Sequence, residues 1–139
     1  MVMTMPRAQR VKILIVLGMM SLLTALSGSS TNLAMPKISA DLMISSSAAT
    51  WIVSIGLITT SVLLVMFGHI GDLVSKNLVF LIGEMVFIVG SLLTGIAPTY
   101  LTILAGRVIQ AVGSAMIMAN SMGIVSQYFP DANRAEALA

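Results

Sequence analysis

Four long apolar runs alternate with short polar breaks along the chain, and the breaks carry nearly all of its charge. No charged residue occurs between Lys12 and Lys37. A helix needs roughly 20 mainly apolar residues to cross a hydrocarbon core about 30 Å thick, so Ile13 to Met35 reads as a first membrane span. Further spans are predicted at Ala48–Phe67, Leu78–Ala97 and Tyr100–Val125. A last helix carried on to Phe129 would be about 45 Å long at 1.5 Å per residue, so its end should tilt or project beyond the core. The pattern places a head at residues 1–12, a four-span bundle at 13–129 and a polar tail at 130–139. Pro36 to Ser47 reads as a turn, in which the hydroxyls of Ser45, Ser46 and Ser47 can cap a helix starting near Ala48. Gly68 to Asn77, GHIGDLVSKN, reads as a central charged loop. Pro98 marks a tight turn before the last span.

Composition agrees. Hydrophobic residues make up 58% of the 139 and charged residues only 9%, with a mean hydropathy of +1.04. Soluble domains carry about 25% charged residues. The expected class is therefore an all-α integral membrane protein with four transmembrane helices. Cysteine is absent and there is one histidine. With no clustered carboxylates either, a hydrolytic or metal-dependent active site is not expected, and no cofactor is implied. The basic residues form no stripe of the kind nucleic acids require. Lys and Arg resist translocation in short loops. Arg7, Arg10, Lys12, Lys76 and Arg134 fall in the head, central loop and tail, and only Lys37 falls in an outer turn. Both termini and the central loop should face the cytoplasm, in a cell membrane. The head with Ile13–Leu26 imitates a secretory signal, but three more spans follow it.

Several positions inside the spans are polar. Ser21, Thr24, Gly28, Thr31 and Asn32 fall within roughly 100° of one another on the first helix. Such a stripe either bonds a neighbouring helix or lines a wet cavity. On the last span, Arg107, Gln110, Ser114 and Ser121 share a side. An arginine at the centre of a membrane helix costs about 2.5 to 3.5 kcal/mol on insertion scales, so Arg107 is either functional or snorkels to the interface. Ala111, Ala115, Ala119 and Gly123 form a ridge of small residues suited to close helix packing. Glu84 is the other charge within a span; it is a protonatable carrier, a partner for Arg107, or simply neutral. His69 reads as a solvated interfacial residue or a pH sensor, Trp51 as an interfacial anchor and the twelve methionines as packing.

These stretches resemble a family. GHIGDLVSKN is similar to the signature between helices 2 and 3 of the major facilitator superfamily, GxLaDrxGrkx. Gly68 and Asp72 match it, while Ser75, Lys76 and Asn77 stand for its second glycine, arginine and lysine. LAGRVIQAVGSA, Leu104 to Ala115, resembles the helix-4 motif of the superfamily's proton-coupled antiporters, lxxxRxxqGxGaa. Arg107, Gln110 and Gly113 coincide with it. TNLAMPKI resembles the end of helix 1 in drug/proton antiporters, with Asn32, Ala34 and Pro36 in place and Ser27 where that pattern carries aspartate. NRAEAL, Asn133 to Leu138, looks like the run leading into helix 5.

The resemblance implies the amino-terminal part of a multidrug efflux transporter that exchanges protons for amphipathic or cationic small molecules. In it, helices 1 and 4 line the central cavity, Arg107 serves coupling or gating, and Asp72 with Lys76 helps control opening between the two halves. Since the chain ends where helix 5 would begin, four helices in the bilayer are expected to need the rest of the transporter and to be inactive alone. Two rivals differ from this. A self-sufficient four-helix exporter acting as an oligomer would rely on a helix-1 carboxylate that the chain lacks. A non-transporting membrane subunit would dock through the Ala111–Gly123 ridge.

Overall fold

A chain segment surrounded by hydrocarbon has no water to satisfy its amides and carbonyls, so the apolar runs close their hydrogen bonds internally as helices. The computed structural model describes residues 7–128, which form α1 (Arg7–Asp41), α2 (Ser46–Leu73), α3 (Lys76–Gly95) and α4 (Tyr100–Tyr128). All four are long and apolar enough to cross a membrane. Among the described residues there is no strand. The start of the expected head, the tail at 130–139 with Arg134, and the NRAEAL run lie outside the described residues.

Three of the helices, α1, α2 and α4, overrun their predicted spans, α3 is shifted two residues toward the amino terminus, and two predicted turns shrink. The first begins at Leu42, six residues beyond Pro36, because α1 continues through the proline. Pro36 has no amide to donate to the Asn32 carbonyl, a defect that membrane helices tolerate where other groups satisfy the backbone. The helix ends instead on a left-handed Met43, with φ of 49°. The Met43 amide donates to the Ala40 carbonyl and the Ile44 amide to that of Ser39, the paired bonds of a Schellman stop. Ser45 then caps α2 by accepting from the Ala48 amide at 3.2 Å, as the serine run predicts.

The predicted loop at Gly68–Asn77 is helical to Leu73 and again from Lys76, leaving only Val74 and Ser75 between. Ser75 makes so short a break possible. It is extended, and its side chain accepts from the Leu78 amide at the start of α3. An N-cap is a role that serine fills and glycine also fills.

Packing centres on α4. Half of its most apolar stretch is buried, against 6% of that of α1. Its closest neighbour is α3, and the approach is backbone to backbone. A β-carbon on Gly113 would lie 2.4 Å from the Phe87 nitrogen and 2.6 Å from the Gly83 oxygen, and one on Gly90 would lie 2.3 Å from the Gln110 nitrogen. The alanine ridge of α4 faces α2, where the Thr60 hydroxyl donates to the Ala111 carbonyl at 3.3 Å and Ala119 sits beside Gly68. At the other end, the Tyr100 hydroxyl donates to the Ala48 carbonyl at 2.9 Å and ties the starts of α4 and α2 together. α1 joins the bundle through a small cluster in which Leu17 meets Phe80, Ile117 and Ile124. Much of its remaining apolar surface, including Leu22, Leu26 and Leu33, is exposed.

Candidate functional site

Arg107 and Gln110 lie three residues apart on α4 and so project from one face. They turn into the bundle, where they collect polar groups from every helix. The Arg107 Nε donates to the Ile52 carbonyl of α2 at 3.3 Å. Its Nη1 donates to the Thr31 hydroxyl of α1 at 3.3 Å and to Gln110 Oε1 at 2.7 Å. Gln110 Nε2 in turn donates to the Ser27 hydroxyl of α1 at 2.7 Å and to that of Ser91 on α3 at 2.8 Å. Thr31 spends its own proton on the Ser27 carbonyl, which leaves its oxygen free to accept from the arginine. Gly56, buried on α2, gives the guanidinium room: a β-carbon there would come within 3.4 Å of Nη2.

Every partner of the guanidinium is neutral. The ion pairs among the described residues are Lys37–Asp41, at 3.4 Å, and Asp72–Lys76. The pairing of Glu84 with Arg107 that the sequence left open does not form, because the two face different spaces: Arg107 reaches toward α1 and α2, and Glu84 lines a groove between α3 and α1. Snorkelling is not the conformation adopted either, since Nε and Nη1 are bonded within the bundle. Without a counter-ion, a partly buried cation keeps its field, and it can attract a carboxylate or respond to charge in a nearby cavity.

Two cavities adjoin this network. One, of about 440 Å³, includes Ser27, Thr31, Ser91, Thr94 and Gln110 in its wall and extends toward the α1–α2 turn. The other, of about 330 Å³, is bounded by Thr24, Gly28, Gly56, Arg107 and Ser114, again with Gln110. Of the predicted cavity residues, Thr31 and Gln110 therefore meet at the first, and Thr24, Gly28, Ser114 and Gln110 at the second. Ser21 and Asn32 stand on the exposed side of α1, outside both.

Asp72 and Lys76 form a separate cluster. Asp72 lies 16 residues beyond Gly56 on α2, about 24 Å along a helix. The Lys76 ammonium donates to Asp72 across the α2–α3 junction, while the lysine stem lies against Gly123 of α4, whose β-carbon would approach Cδ to 2.5 Å. Three helices are thus joined at this end. Asn120 of α4, 1% exposed, adds a clasp: its Nδ2 donates to the Phe67 carbonyl at 3.3 Å and to that of Met116 at 2.9 Å, and its side chain fills the space where Gly71 lacks a β-carbon.

Comparison with known proteins settles the family. The model of the Major Facilitator Superfamily matches residues 17–139. The chain belongs to that superfamily. It is 32% identical over 126 residues to the riboflavin transporter RibZ of Clostridioides difficile, an alignment covering 91% of the chain and 28% of the relative. It is 31% identical over 120 residues to the multidrug efflux pump LfrA of Mycolicibacterium smegmatis, with 86% and 24% covered. With the methylenomycin A resistance protein of Bacillus subtilis it shares 30% over 121 residues, covering 87% and 26%. The chain thus spans about a quarter of the length of the curated relatives it matches. Membership makes it a multi-pass membrane protein of a transporter family, built from four transmembrane helices.

Within this superfamily member, sequence reasoning passed over Ser27 as a network residue, Ser91, the Ile52 carbonyl, Gly56, Gly71 and Asn120. A backbone carbonyl carries no side-chain signal, and a single serine in an apolar run is too common to stand out. Asn120 did carry one: an amide in the middle of a membrane helix must find a partner.

Proposed function

We propose that this chain supplies the first four helices of the amino-terminal half of a proton-coupled exporter of amphipathic or cationic small molecules. The single observation carrying the reading is Arg107, which holds all four helices through neutral partners beside two cavities. A network of that kind can change when charge enters or leaves the cavity, which coupling requires. Halves of these transporters have six helices each and bind substrate where the halves meet. The four helices here form part of one wall of that pathway. Ser21 and Asn32, on the open side of α1, line the pathway shared with the other half, and Asp72 with Lys76 holds the cytoplasmic end shut. The protein sits in the cell membrane with both termini on the cytoplasmic side.

Efflux of ethidium from cells tests this. The intact transporter is expected to accelerate efflux, and Arg107→Ala to abolish the acceleration. Arg107→Lys should do nearly the same, because an ammonium lacks the planar fork that serves Ile52, Thr31 and Gln110 together. Residues 1–139 alone should give none. Undiminished efflux in Arg107→Ala refutes the coupling role, and Arg107-dependent efflux by residues 1–139 alone refutes the need for the second half.

A further inference from the structure

We infer that the cavity bounded by Thr24, Gly28, Gly56, Arg107 and Ser114 is a binding site for a small monovalent anion of the halide class, held against the open edge of the Arg107 guanidinium. The site shares its arginine with the function proposed above, but neither its substrate nor its proton coupling. Among the described residues, the hydrogen bonds of Arg107 use Nε and Nη1 alone. Nη2 is left uncommitted. It lies over Gly56, where a β-carbon would come within 3.4 Å of it, and the arginine itself forms part of the cavity wall. Gly28 stands in the same wall on α1, and a β-carbon there would have nothing within 4 Å. Two helices thus bring no side chain to the space around the guanidinium, and its volume of about 330 Å³ is ample for a partly hydrated ion.

Charge and spare donors decide the occupant. The acids of the four helices are Asp41, Asp72 and Glu84. Asp41 pairs with Lys37, Asp72 pairs with Lys76 and Glu84 lines the groove between α3 and α1, so no carboxylate among the described residues meets the guanidinium. A partly buried cation with neutral partners alone is costly, and an anion within reach relieves that cost. Five hydroxyls share the wall, those of Thr24, Ser27, Thr60, Ser61 and Ser114. Thr24, Thr60 and Ser61 spend their protons on the carbonyls of Met20, Ala111 and Leu57. Ser27 accepts from Gln110, and Ser114 makes no side-chain hydrogen bond among the described residues, so both keep an O–H to donate. Ser114 follows Arg107 by two helical turns and therefore shares its face of α4. One cationic N–H edge with two spare hydroxyls suits a single negative charge, because hydrogen bonds between ionised and neutral donors and an anion are strong ones. A dianion would leave half its charge unmet. The ion neutralises Arg107 in place and takes no bond from Ile52, Thr31 or Gln110.

Chloride NMR of the intact transporter in lipid nanodiscs, with chloride added to a gluconate buffer, is the test. The wild type is expected to broaden the chloride line, and bromide to narrow it again by competition. Arg107→Gln should bind about tenfold more weakly, the usual loss when a hydrogen bond to a charged group is removed. Ser27→Asp keeps the arginine and sets a carboxylate in the same wall, so it should abolish the broadening by supplying the negative charge covalently. Gly28→Leu keeps every donor and fills the cavity from α1, and it should weaken binding too. Circular dichroism confirms that each variant retains its helices. Absence of bromide-sensitive broadening in the wild type overturns the inference and leaves the guanidinium to a carboxylate elsewhere in the transporter. Broadening that survives undiminished in Arg107→Gln or in Ser27→Asp overturns it as well. The readout is separable from transport: halide binding without Arg107-dependent efflux sinks the functional reading alone, and Arg107-dependent efflux without halide binding sinks this one alone.

Discussion

At the scale of single residues, the signature stretch is shaped by sterics as much as by charge. Gly68 and Asp72 drew attention as motif positions, yet Gly71 is where the structure is least permissive. A β-carbon there would sit 1.7 Å from Asn120 Oδ1, which is buried and has no hydrogen-bond partner. Gly71→Ala must therefore expel the asparagine side chain from its bonds to Phe67 and Met116. The expected loss is about 1 to 3 kcal/mol, the usual cost of overpacking a tight site. Thermal unfolding in micelles should show it, and Gly71→Ala with Asn120→Ala should lose less than the two single losses added. Additive losses would mean that glycine and asparagine are not coupled. Asp72 bonds its basic neighbour Lys76, while Ser75 takes the helix cap. Apolar pattern alone could not divide those roles, because they depend on where the helices break.

At the scale of elements, the four helices were legible from their apolar runs, as were the starts of α2 and α4, but most of the other ends were not. Pro36 reads as a stop, but α1 continues past it, and the break falls where Met43 can turn left-handed. The small-residue ridge was read as a packing face, and it does pack, against α2. The tighter contact, α3 on α4, runs instead through Gly83, Gly90, Gly106 and Gly113, in pairs seven residues apart. Gly113→Ala should force those two backbones apart, since the obstructing atoms are main-chain and cannot rotate away. Gly28→Ala, with nothing within 4 Å of the new carbon, is expected to leave stability unchanged. Unfolding of the two variants side by side checks this, and equal behaviour would contradict the close approach.

At the scale of the whole molecule, α2, α3 and α4 form a tight trio and α1 is attached mainly at two places: the Leu17 cluster, and the polar network through Ser27 and Thr31. Gln110→Leu removes both serine bonds and the acceptor for Arg107. It is expected to loosen α1 while sparing the trio. The absence of cysteine allows clean spin labelling at chosen sites. Labels at Leu33 and Leu57, both exposed, should report a broadened α1–α2 distance distribution in Gln110→Leu. Labels at Leu92 and Leu101 should report no change between α3 and α4. An unbroadened α1–α2 distribution would mean that apolar contact alone retains α1.

The sequence by itself determined the number of helices, their membrane character and the family. Those follow from the length and polarity of each run, which are local properties paid once per helix. It also marked Arg107 and Gln110, because a charge and an amide at such depth are costly and therefore conspicuous. Only the tertiary structure decided what they bond to. The Ile52 carbonyl, Ser27, Thr31 and Ser91 come from three other helices, and their meeting depends on crossing geometry that no single helix encodes. It likewise separated Glu84 from Arg107. The sequence left their pairing open, but the rotation of α3 about its own axis turns the carboxylate toward α1, and rotation is set by the glycine contact with α4.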